Sequence, residues 1–208
     1  MDHEAAAHLS RLKALDAATV HEAAGRVGHV APTVRPIQRG VTLAGRAVTA
    51  EVHPGDNLAL HRAVLAGSTG DVLVAAARGH LAGYWGEILA VAAQVRGIAG
   101  LVLDGGCRDT AALRARGFPV WSTGASVHGT VKRTPGTVNQ NVVVGGVPVS
   151  PGDYVIADDD GVVVVPAGRI AEVLDAAEAR VAREAEIMRQ LRDGGTTIDL
   201  MGLAGALL

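Results

Sequence analysis

The stretch YWGEILAVAAQVRGIAGLVLDGGCRDT, residues 84–110, combines two kinds of hydrophobic pattern. Residues 86–97 carry apolar side chains at helical spacing, whereas residues 100–104 form the short apolar run of a buried strand. A second helical pattern follows at residues 108–117. This alternation predicts an α/β fold with largely parallel strands, in which ligand sites form beyond the carboxyl ends of the strands.

The same alternation continues on both sides of this stretch. Helical patterns occupy residues 3–15, 16–25 and 57–67, and strand patterns occupy residues 45–53, 71–76 and 119–123. Asp16 and Asp56 are candidate helix caps, and Gly25 is a candidate helix stop. The first half of the chain is therefore predicted to pair strands with helices throughout.

The pattern changes in the last third of the chain. Three short β-rich runs, separated by Gly, Pro and Asp turns, occupy residues 142–150, 153–158 and 161–166 and predict hairpins. A long amphipathic helix follows at 167–194, and its length indicates a contact between subunits. No linker or repeat divides the sequence, so we expect one domain over residues 1–208, with N-terminal helices within 1–30.

Composition narrows the classes of function. The 208 residues are 49% hydrophobic and carry a formal net charge of -2, so the chain can bury a core and shows no basic stripe for a nucleic acid. The two Trp, two Tyr and one Phe are too few for a base-stacking platform. The lone Cys107, the absence of a leader-like pattern and the lack of a long uncharged apolar run predict a soluble, cytoplasmic protein without a membrane partner.

Charged and glycine residues cluster where the strand at 100–104 ends. Gly105 and Gly106 are expected to form a turn in which the backbone approaches a ligand closely. Asp109 stands at a helix start, where it either caps the helix or offers a hard oxygen ligand to a divalent metal. Arg108 offers a planar fork of donors for a carboxylate or an enolate.

A second helix start lies upstream of this cluster. Gly86 opens the helical pattern, so the backbone amides of Ile88 and Leu89 are expected to face the same anion. The pattern thus indicates an anionic substrate held on a metal. The simpler interpretation of Asp109 as a helix cap, with Arg108 as a surface charge, stays open at this point.

Other candidate sites have weaker support in the sequence. Cys107 has no neighbouring histidine and is interpreted as a structural residue rather than a nucleophile. Residues 157–161, ADDDG, lack the remainder of a calcium-binding loop and predict a hairpin turn. The eight histidines show no zinc-site spacing, and no nucleotide-binding glycine motif follows a strand.

One spacing resembles a known family. Gly86 and Glu87 are followed by twenty residues, 88–107, and then by Arg108 and Asp109. This arrangement resembles the signature of class II pyruvate aldolases typified by 4-hydroxy-4-methyl-2-oxoglutarate/4-carboxy-4-hydroxy-2-oxoadipate aldolase, whose fold is shared with regulator of ribonuclease activity A. Further similarity lies in GDNLALHRAV (55–64), FPVW (118–121) and VSPGDYVIADDDGVVVVP (149–166). Residues 75–83, AAARGHLAG, depart from the more acidic glycine-rich turn of many family members.

The resemblance implies a fold and an assembly. The fold would be an α/β/β sandwich of the swivelling phosphohistidine-domain type, assembled as a homotrimer or homohexamer with sites between subunits. Asp109 would bind Mg2+ or Mn2+, Arg108 would bind the 2-oxo acid and its enolate, and Glu87 would orient the site. Gly86 and the amides of Ile88 and Leu89 would bind the substrate carboxylate. A glutamate from the C-terminal helix of a neighbouring subunit, Glu184 or else Glu186, would approach the metal.

The resemblance also implies a reaction. It is the metal-dependent retro-aldol cleavage of a 4-hydroxy-2-oxo acid to pyruvate and a carbonyl product, with oxaloacetate decarboxylation as a side activity. Two alternatives stay open. The chain would otherwise be a non-catalytic, protein-binding regulator of the ribonuclease E type, or a biosynthetic aldolase or decarboxylase for an unusual 2-oxo acid.

Overall fold

The structure is a computed structural model that describes residues 3–207, with the side chains of residues 3–205. The ends of the predicted domain, residues 1, 2 and 208, lie outside the described residues. The α-helices are α1 His3–Leu12, α2 Ala17–Ala23, α3 Leu58–Ala66, α4 Glu87–Val95, α5 Thr110–Arg116, α6 Ile170–Arg192 and α7 Thr197–Leu200. Short 3-10 helices lie at Ala167–Arg169 and Ala204–Leu207.

The strands form one mixed sheet and a separate hairpin. They are β1 Arg35–Pro36, β2 Leu43–Glu51, β3 Val72–Ala76, β4 Gly100–Cys107, β5 Val120–Ala125, β6 Thr137–Val138, β7 Val142–Val144, β8 Val147–Val149, β9 Tyr154–Ala157 and β10 Val162–Val165. The sheet order is β1-β5-β4-β3-β2-β9-β10, with β6 also paired to β2. Strands β2 to β5 run parallel, as predicted, and within the described residues β7 pairs only with β8.

The sheet separates layers of apolar side chains. Because successive residues of a strand point to opposite faces, Leu101 and Leu103 of β4 pack against α3, α4 and α5, whereas Val102 packs on the other face with the β7–β8 hairpin. Helices α1, α2 and α6 cover β9 and β10, where Val20 and Leu174 are fully buried. The result is a mixed α/β fold with a long C-terminal helix.

The long helix α6 is only partly covered. Its buried residues are Ile170, Val173, Leu174 and Ala177, all among the first eight of its 23 residues. Beyond them, Val181 and Met188 are exposed within the described part of the chain. No helix within residues 3–207 is both long and apolar enough to cross a bilayer.

Two local predictions need correction. Strand β4 continues to Cys107, so Gly105 and Gly106 lie in a strand rather than in a turn that approaches a ligand. Glycine is needed at position 106 for close packing, because a Cβ atom there would overlap the backbone of Ala82. The second correction concerns Asp56. Asn57 occupies the cap position of α3, one residue later than predicted, while the Asp56 carboxylate accepts the amide of Leu58, the first residue of α3, and the amide of Arg133.

Candidate functional site

The two halves of the Gly-Glu and Arg-Asp pattern meet because the chain pairs with β4 a second time. Residues 100–103 of β4 pair with β3, and further along the same strand Cys107 forms a parallel bridge with Trp85. The Arg108 amide then donates to the Trp85 carbonyl at 2.8 Å. Residues 86 and 87 are therefore placed beside residues 108 and 109.

Tyr84 fixes this segment from the other side. The Gly55 amide donates to the Tyr84 hydroxyl at 2.9 Å, and that hydroxyl is 2.7 Å from Nδ1 of His80. The Asn57 side-chain amide donates to the Tyr84 carbonyl at 2.9 Å. The start of α4 is thus held between β4 and the loop that precedes α3.

Asp109 occupies the cap position of α5 in an unusual conformation. Its φ of 56° and ψ of 32° lie in the left-handed region, which costs a non-glycine residue free energy, although Asp adopts it more readily than most residues. Its side chain does not cap its own helix. Instead, Oδ2 accepts the Glu87 amide of α4 at 3.0 Å, so the simple cap interpretation of Asp109 is wrong.

Arg108 lies across two glycines. A Cβ atom at Gly83 would come within 3.0 Å of Arg108 Cδ, and one at Gly86 within 3.1 Å of Arg108 Cγ. The Arg108 Nε atom is 3.7 Å from Asp109 Oδ2, and both side chains are partly exposed. Gly83 and Gly86 therefore leave room for the arginine stem. The Gly-x-x-Gly spacing was the sequence signal for this role, which our sequence prediction did not assign to either glycine.

The first turn of α4 lies beside this group. The Ala90 amide makes the first intrahelical bond, to the Gly86 carbonyl, so the amides of Ile88 and Leu89 precede the helical ladder. The positive end of the helix dipole adds to their attraction for an anion. The Glu87 carboxylate points elsewhere and contacts Arg116 at 2.7 Å.

A small cavity opens at these amides. It has a volume of about 90 Å³, and its walls include Gly86, Ile88, Leu89, Arg108 and Asp109. A second cavity of about 350 Å³ adjoins Arg108 and Asp109 and is lined by Thr110, Ala125, Ser126 and Val127. The two residues therefore lie between a narrow polar cavity and a wider open one.

The narrow cavity contains three polar residues to which the sequence prediction gave no role: Asn57, His61 and Lys132. Asn57 and His61 are four residues apart at the start of an apolar helix, and this spacing on one helix face was the signal that could have found them. Lys132 had no such signal. It is placed by its neighbour Val131, whose backbone exchanges hydrogen bonds with Gly55 and Asn57.

Two of these polar residues carry a buried atom without a hydrogen-bond partner among the described residues. These atoms are Asn57 Oδ1 and His61 Nε2. Burial, assisted by the positive charge of Lys132, lowers the pKa of His61, which keeps its imidazole uncharged near neutral pH. Buried polar atoms without partners are costly unless a ligand or water satisfies them.

Larger cavities lie elsewhere and are less suited to chemistry. One of about 540 Å³ lies beside Glu51, Arg78 and Asp104. There Glu51 and Arg78 form an ion pair, and the Asp104 carboxylate accepts the amides of Ala77 and Gly145. Burial raises the pKa of Asp104. The charged groups that line this cavity are therefore already engaged in contacts that hold neighbouring segments together.

The residues present fit a hydrated divalent cation. No group of three or more His, Cys, Asp or Glu side chains within the described residues could hold a metal. Asp109 nevertheless presents a partly exposed carboxylate beside the cavity. Mg2+ often binds proteins through one or two carboxylates and keeps several waters, so one protein ligand from this chain suits Mg2+ or Mn2+.

The other predicted residues lie apart from this group. Glu184 pairs with Arg180 at 2.8 Å and Glu186 pairs with Arg189 at 2.6 Å, so within residues 3–207 neither contacts the Asp109 site. Cys107 is buried, and burial raises the pKa of its thiol, in agreement with a structural role. Residues 157–161 join β9 to β10 as the predicted hairpin turn, in which the Asp158 amide donates to the Gly161 carbonyl.

Comparison with known proteins places this chain in a family. Residues 14–164 match the family model described as RraA-like: Aldolase/RraA. A protein of Halalkalibacterium halodurans, provisionally named 4-hydroxy-4-methyl-2-oxoglutarate aldolase, is 32% identical over 186 residues, which is 89% of this chain and 89% of that protein.

Two solved structures share the fold. An uncharacterized protein from Pseudomonas syringae pv. tomato has a TM-score of 0.83 at 26% identity, covering 95% of this chain and 98% of the other. Streptomyces coelicolor RraAS2, described as an unusual member of the RNase ES inhibitor RraA protein family, has a TM-score of 0.77 at 31% identity, covering 92% and 98%. The relatives therefore include proteins named for catalysis and for inhibition.

Proposed function

This chain belongs to the RraA-like family, and we propose that it cleaves a 4-hydroxy-2-oxo acid to pyruvate and a carbonyl product in a divalent-metal-dependent retro-aldol reaction. The observation that carries the proposal is the hydrogen bond from the Glu87 amide to Asp109. It places a hard carboxylate, the guanidinium of Arg108 and a helix N-terminus at one cavity. The name of the 32% identical relative supports the same reaction.

Substrate binding begins at α4. The amides of Ile88 and Leu89 donate to the carboxylate of the 2-oxo acid, with the helix dipole adding to the attraction. Gly86 supports this arrangement because its missing side chain leaves space for Arg108 and Asp109. Lys132 adds positive charge at the same cavity. These groups hold the pyruvyl half, which all substrates of this class share.

Bond cleavage then needs charge stabilisation at the ketone. When the 4-hydroxyl proton passes to water, the O–H electron pair forms the C4=O bond of the carbonyl product and the C3–C4 bond breaks. The electron pair of that bond forms the enolate of pyruvate, which then takes a proton from water at C3. The Arg108 guanidinium stabilises the oxygen that becomes negative, and one preorganised donor of this type contributes roughly 3 to 4 kcal/mol. A Mg2+ or Mn2+ ion held by Asp109 would supply Lewis acidity at the same oxygen.

The proposal includes an assembly. The exposed second half of α6 fits a contact with another copy in a homotrimer or homohexamer, through which Glu184 would reach a neighbouring site. The layered arrangement of helices, sheet and hairpin is compatible with an α/β/β sandwich of the swivelling phosphohistidine-domain type. A cytoplasmic location stays a prediction from the sequence.

Pyruvate release tests the proposal. The assay couples lactate dehydrogenase to the cleavage of 4-hydroxy-4-methyl-2-oxoglutarate and to the decarboxylation of oxaloacetate, with Mg2+, Mn2+ or EDTA. We expect the protein loaded with either metal to release pyruvate from oxaloacetate, because decarboxylation of oxaloacetate requires only the enolate chemistry. Release that is unaffected by EDTA would contradict a metal-dependent site.

A second candidate function rests on one relative. RraAS2, named as belonging to an RNase ES inhibitor family, matches 92% of this chain at 31% identity. The alternative is that this chain binds a ribonuclease through its surface without catalysis. Binding of a ribonuclease segment in EDTA, together with the absence of pyruvate release, would favour this alternative. A biosynthetic aldolase or decarboxylase for an unusual 2-oxo acid would instead retain metal-dependent enolate chemistry.

A further inference from the structure

The last residue of α5 contacts the first residue of α4. The Arg116 guanidinium lies 2.8 Å from Glu87 Oε1 through Nε and 2.7 Å through its terminal nitrogen. Nε donates a hydrogen bond to this oxygen, and the terminal nitrogen lies within ion-pair distance of the same oxygen. The two side chains are about equally exposed, at 40% for Arg116 and 42% for Glu87.

This ion pair is one of three ties between the helices. Asp109, which directly precedes α5, accepts the Glu87 backbone amide at 3.0 Å. Gln94 of α4 donates its side-chain amide to the Arg116 carbonyl at 3.2 Å. Helix α5 therefore holds the first residue of α4 from both of its own ends, through the backbone amide and through the side chain.

We propose that Arg116 is a positioning residue for Asp109, an inference that rests on the proposed function. By holding the Glu87 side chain, Arg116 fixes the direction of the Glu87 amide that orients Asp109 Oδ2. Residues that orient a metal ligand from outside the coordination sphere change metal affinity or activity by roughly 10- to 100-fold. An exposed ion pair contributes little to global stability, so removal of Arg116 leaves the chain folded.

The sign of the effect separates positioning from simple electrostatics. If only Coulomb interactions mattered, removing a positive charge close to a cation site would strengthen cation binding, because it removes a repulsion. Loss of a positioning contact weakens cation binding, because the carboxylate ligand becomes less well oriented. Arg114 provides a matched control on the same helix, since it donates to the Ile37 carbonyl rather than to Glu87.

The test titrates the full-length protein with Mn2+ and follows binding by electron paramagnetic resonance. We expect Arg116→Ala to weaken Mn2+ binding by about tenfold, Arg116→Lys to lie between Arg116→Ala and the wild type, and Arg114→Ala to stay within about twofold of the wild type. Thermal unfolding without metal checks that each variant is folded. Unchanged or tighter Mn2+ binding by folded Arg116→Ala would overturn the inference.

A double-mutant cycle with Glu87→Gln tests the route of the effect. If Arg116 acts through Glu87, Arg116→Ala weakens Mn2+ binding much less in the Glu87→Gln background than in the wild type. Equal weakening in both backgrounds would contradict that route. If the wild type binds Mn2+ through Asp109 but releases no pyruvate, the proposed reaction is refuted. The Mn2+ affinities of the Arg116 variants would still test the positioning role. A wild type that binds no Mn2+ would refute both.

Discussion

Asp109 Oδ2 accepts a hydrogen bond from the Glu87 backbone amide at 3.0 Å, across 22 positions of sequence. Between these residues the chain makes helix α4 and returns through β4 to the same end of the fold. The twenty residues between the Gly-Glu and Arg-Asp pairs therefore correspond to one helix and one strand. With this length, one helix and one strand return the chain so that the carboxylate meets the amide.

Arg108 is predicted to act on the rate more than on substrate binding. Arg108→Ala should lower kcat for pyruvate release by about a hundredfold or more, because it removes a donor to the enolate oxygen. Arg108→Lys keeps the charge but loses the planar fork, and should recover only part of the rate. Steady-state kinetics on oxaloacetate measure both. A variant with a raised KM and an unchanged kcat would show that Arg108 only binds substrate.

Gly86 is predicted to tolerate no side chain. A Cβ atom at this position would overlap Asp109 Oδ2 and press on the Arg108 stem, so Gly86→Ala should displace both groups and reduce kcat/KM by about tenfold. Gly129 is the matched control, since a Cβ atom there meets nothing within 4 Å. Gly129→Ala should leave kcat/KM unchanged. Equal activity of both variants would contradict the proposed packing of the site.

Cys107 is predicted to be unreactive in the folded protein. Burial raises the pKa of its thiol, so the thiolate that reacts with alkylating agents is scarce at neutral pH. Treatment of the native protein with iodoacetamide at pH 7 should leave Cys107 unmodified by mass spectrometry, whereas the urea-unfolded protein should be labelled. Rapid labelling of the native thiol with loss of pyruvate release would indicate that Cys107 belongs to the site.

Asp56 is predicted to stabilise the loop that carries Lys132. Burial alone would raise its pKa, but hydrogen bonds from the amides of Leu58, Thr134 and Arg133 hold the pKa of Asp56 below its ordinary value. The folded pKa is lower than the unfolded one, so this stabilisation is present above the unfolded pKa and is lost as pH falls through the folded pKa.

Urea unfolding measures this contribution. At pH 7, Asp56→Asn should lower the free energy of unfolding by roughly 1–3 kcal/mol, because a carboxylate that accepts several amides is replaced by a group with one acceptor. The difference between the variant and the wild type should shrink as pH falls below the ordinary pKa of Asp. A difference that is independent of pH would contradict an ionised Asp56 in the folded state.

The sequence predicted those parts of the fold that depend on local patterns. The alternation in residues 86–117 identified α4, β4 and α5, and the carboxylate at position 16 identified the start of α2, where Asp16 Oδ1 accepts the Thr19 amide at 2.7 Å. Gly105 and Gly106 misled the prediction, because their small size serves packing against a distant segment. Such non-local contacts leave no local signal.

The same distinction holds at the candidate site. Arg108 and Asp109 were predicted because they stand between an apolar strand and a helix start, and because their spacing from Gly86 and Glu87 resembles a family signature. Lys132 and Arg116 were not, since they reach the site or its support through tertiary contacts. The left-handed backbone of Asp109 was also invisible, because most residues in that conformation are glycines.

Exchange of the methyl protons of pyruvate in D2O, followed by proton NMR, tests the central claim most directly. It requires only the pyruvyl half of a substrate, so it does not depend on the unknown carbonyl product. We expect the wild type with Mg2+ or Mn2+ to catalyse exchange, EDTA to abolish it, and Asp109→Asn to lower its rate by at least about a hundredfold. The exposed Asp160→Asn should exchange at the wild-type rate. Exchange by Asp109→Asn at the wild-type rate would contradict a pyruvate enolate site at Arg108 and Asp109. So would a metal-loaded wild type whose exchange rate does not exceed that of the metal ion alone.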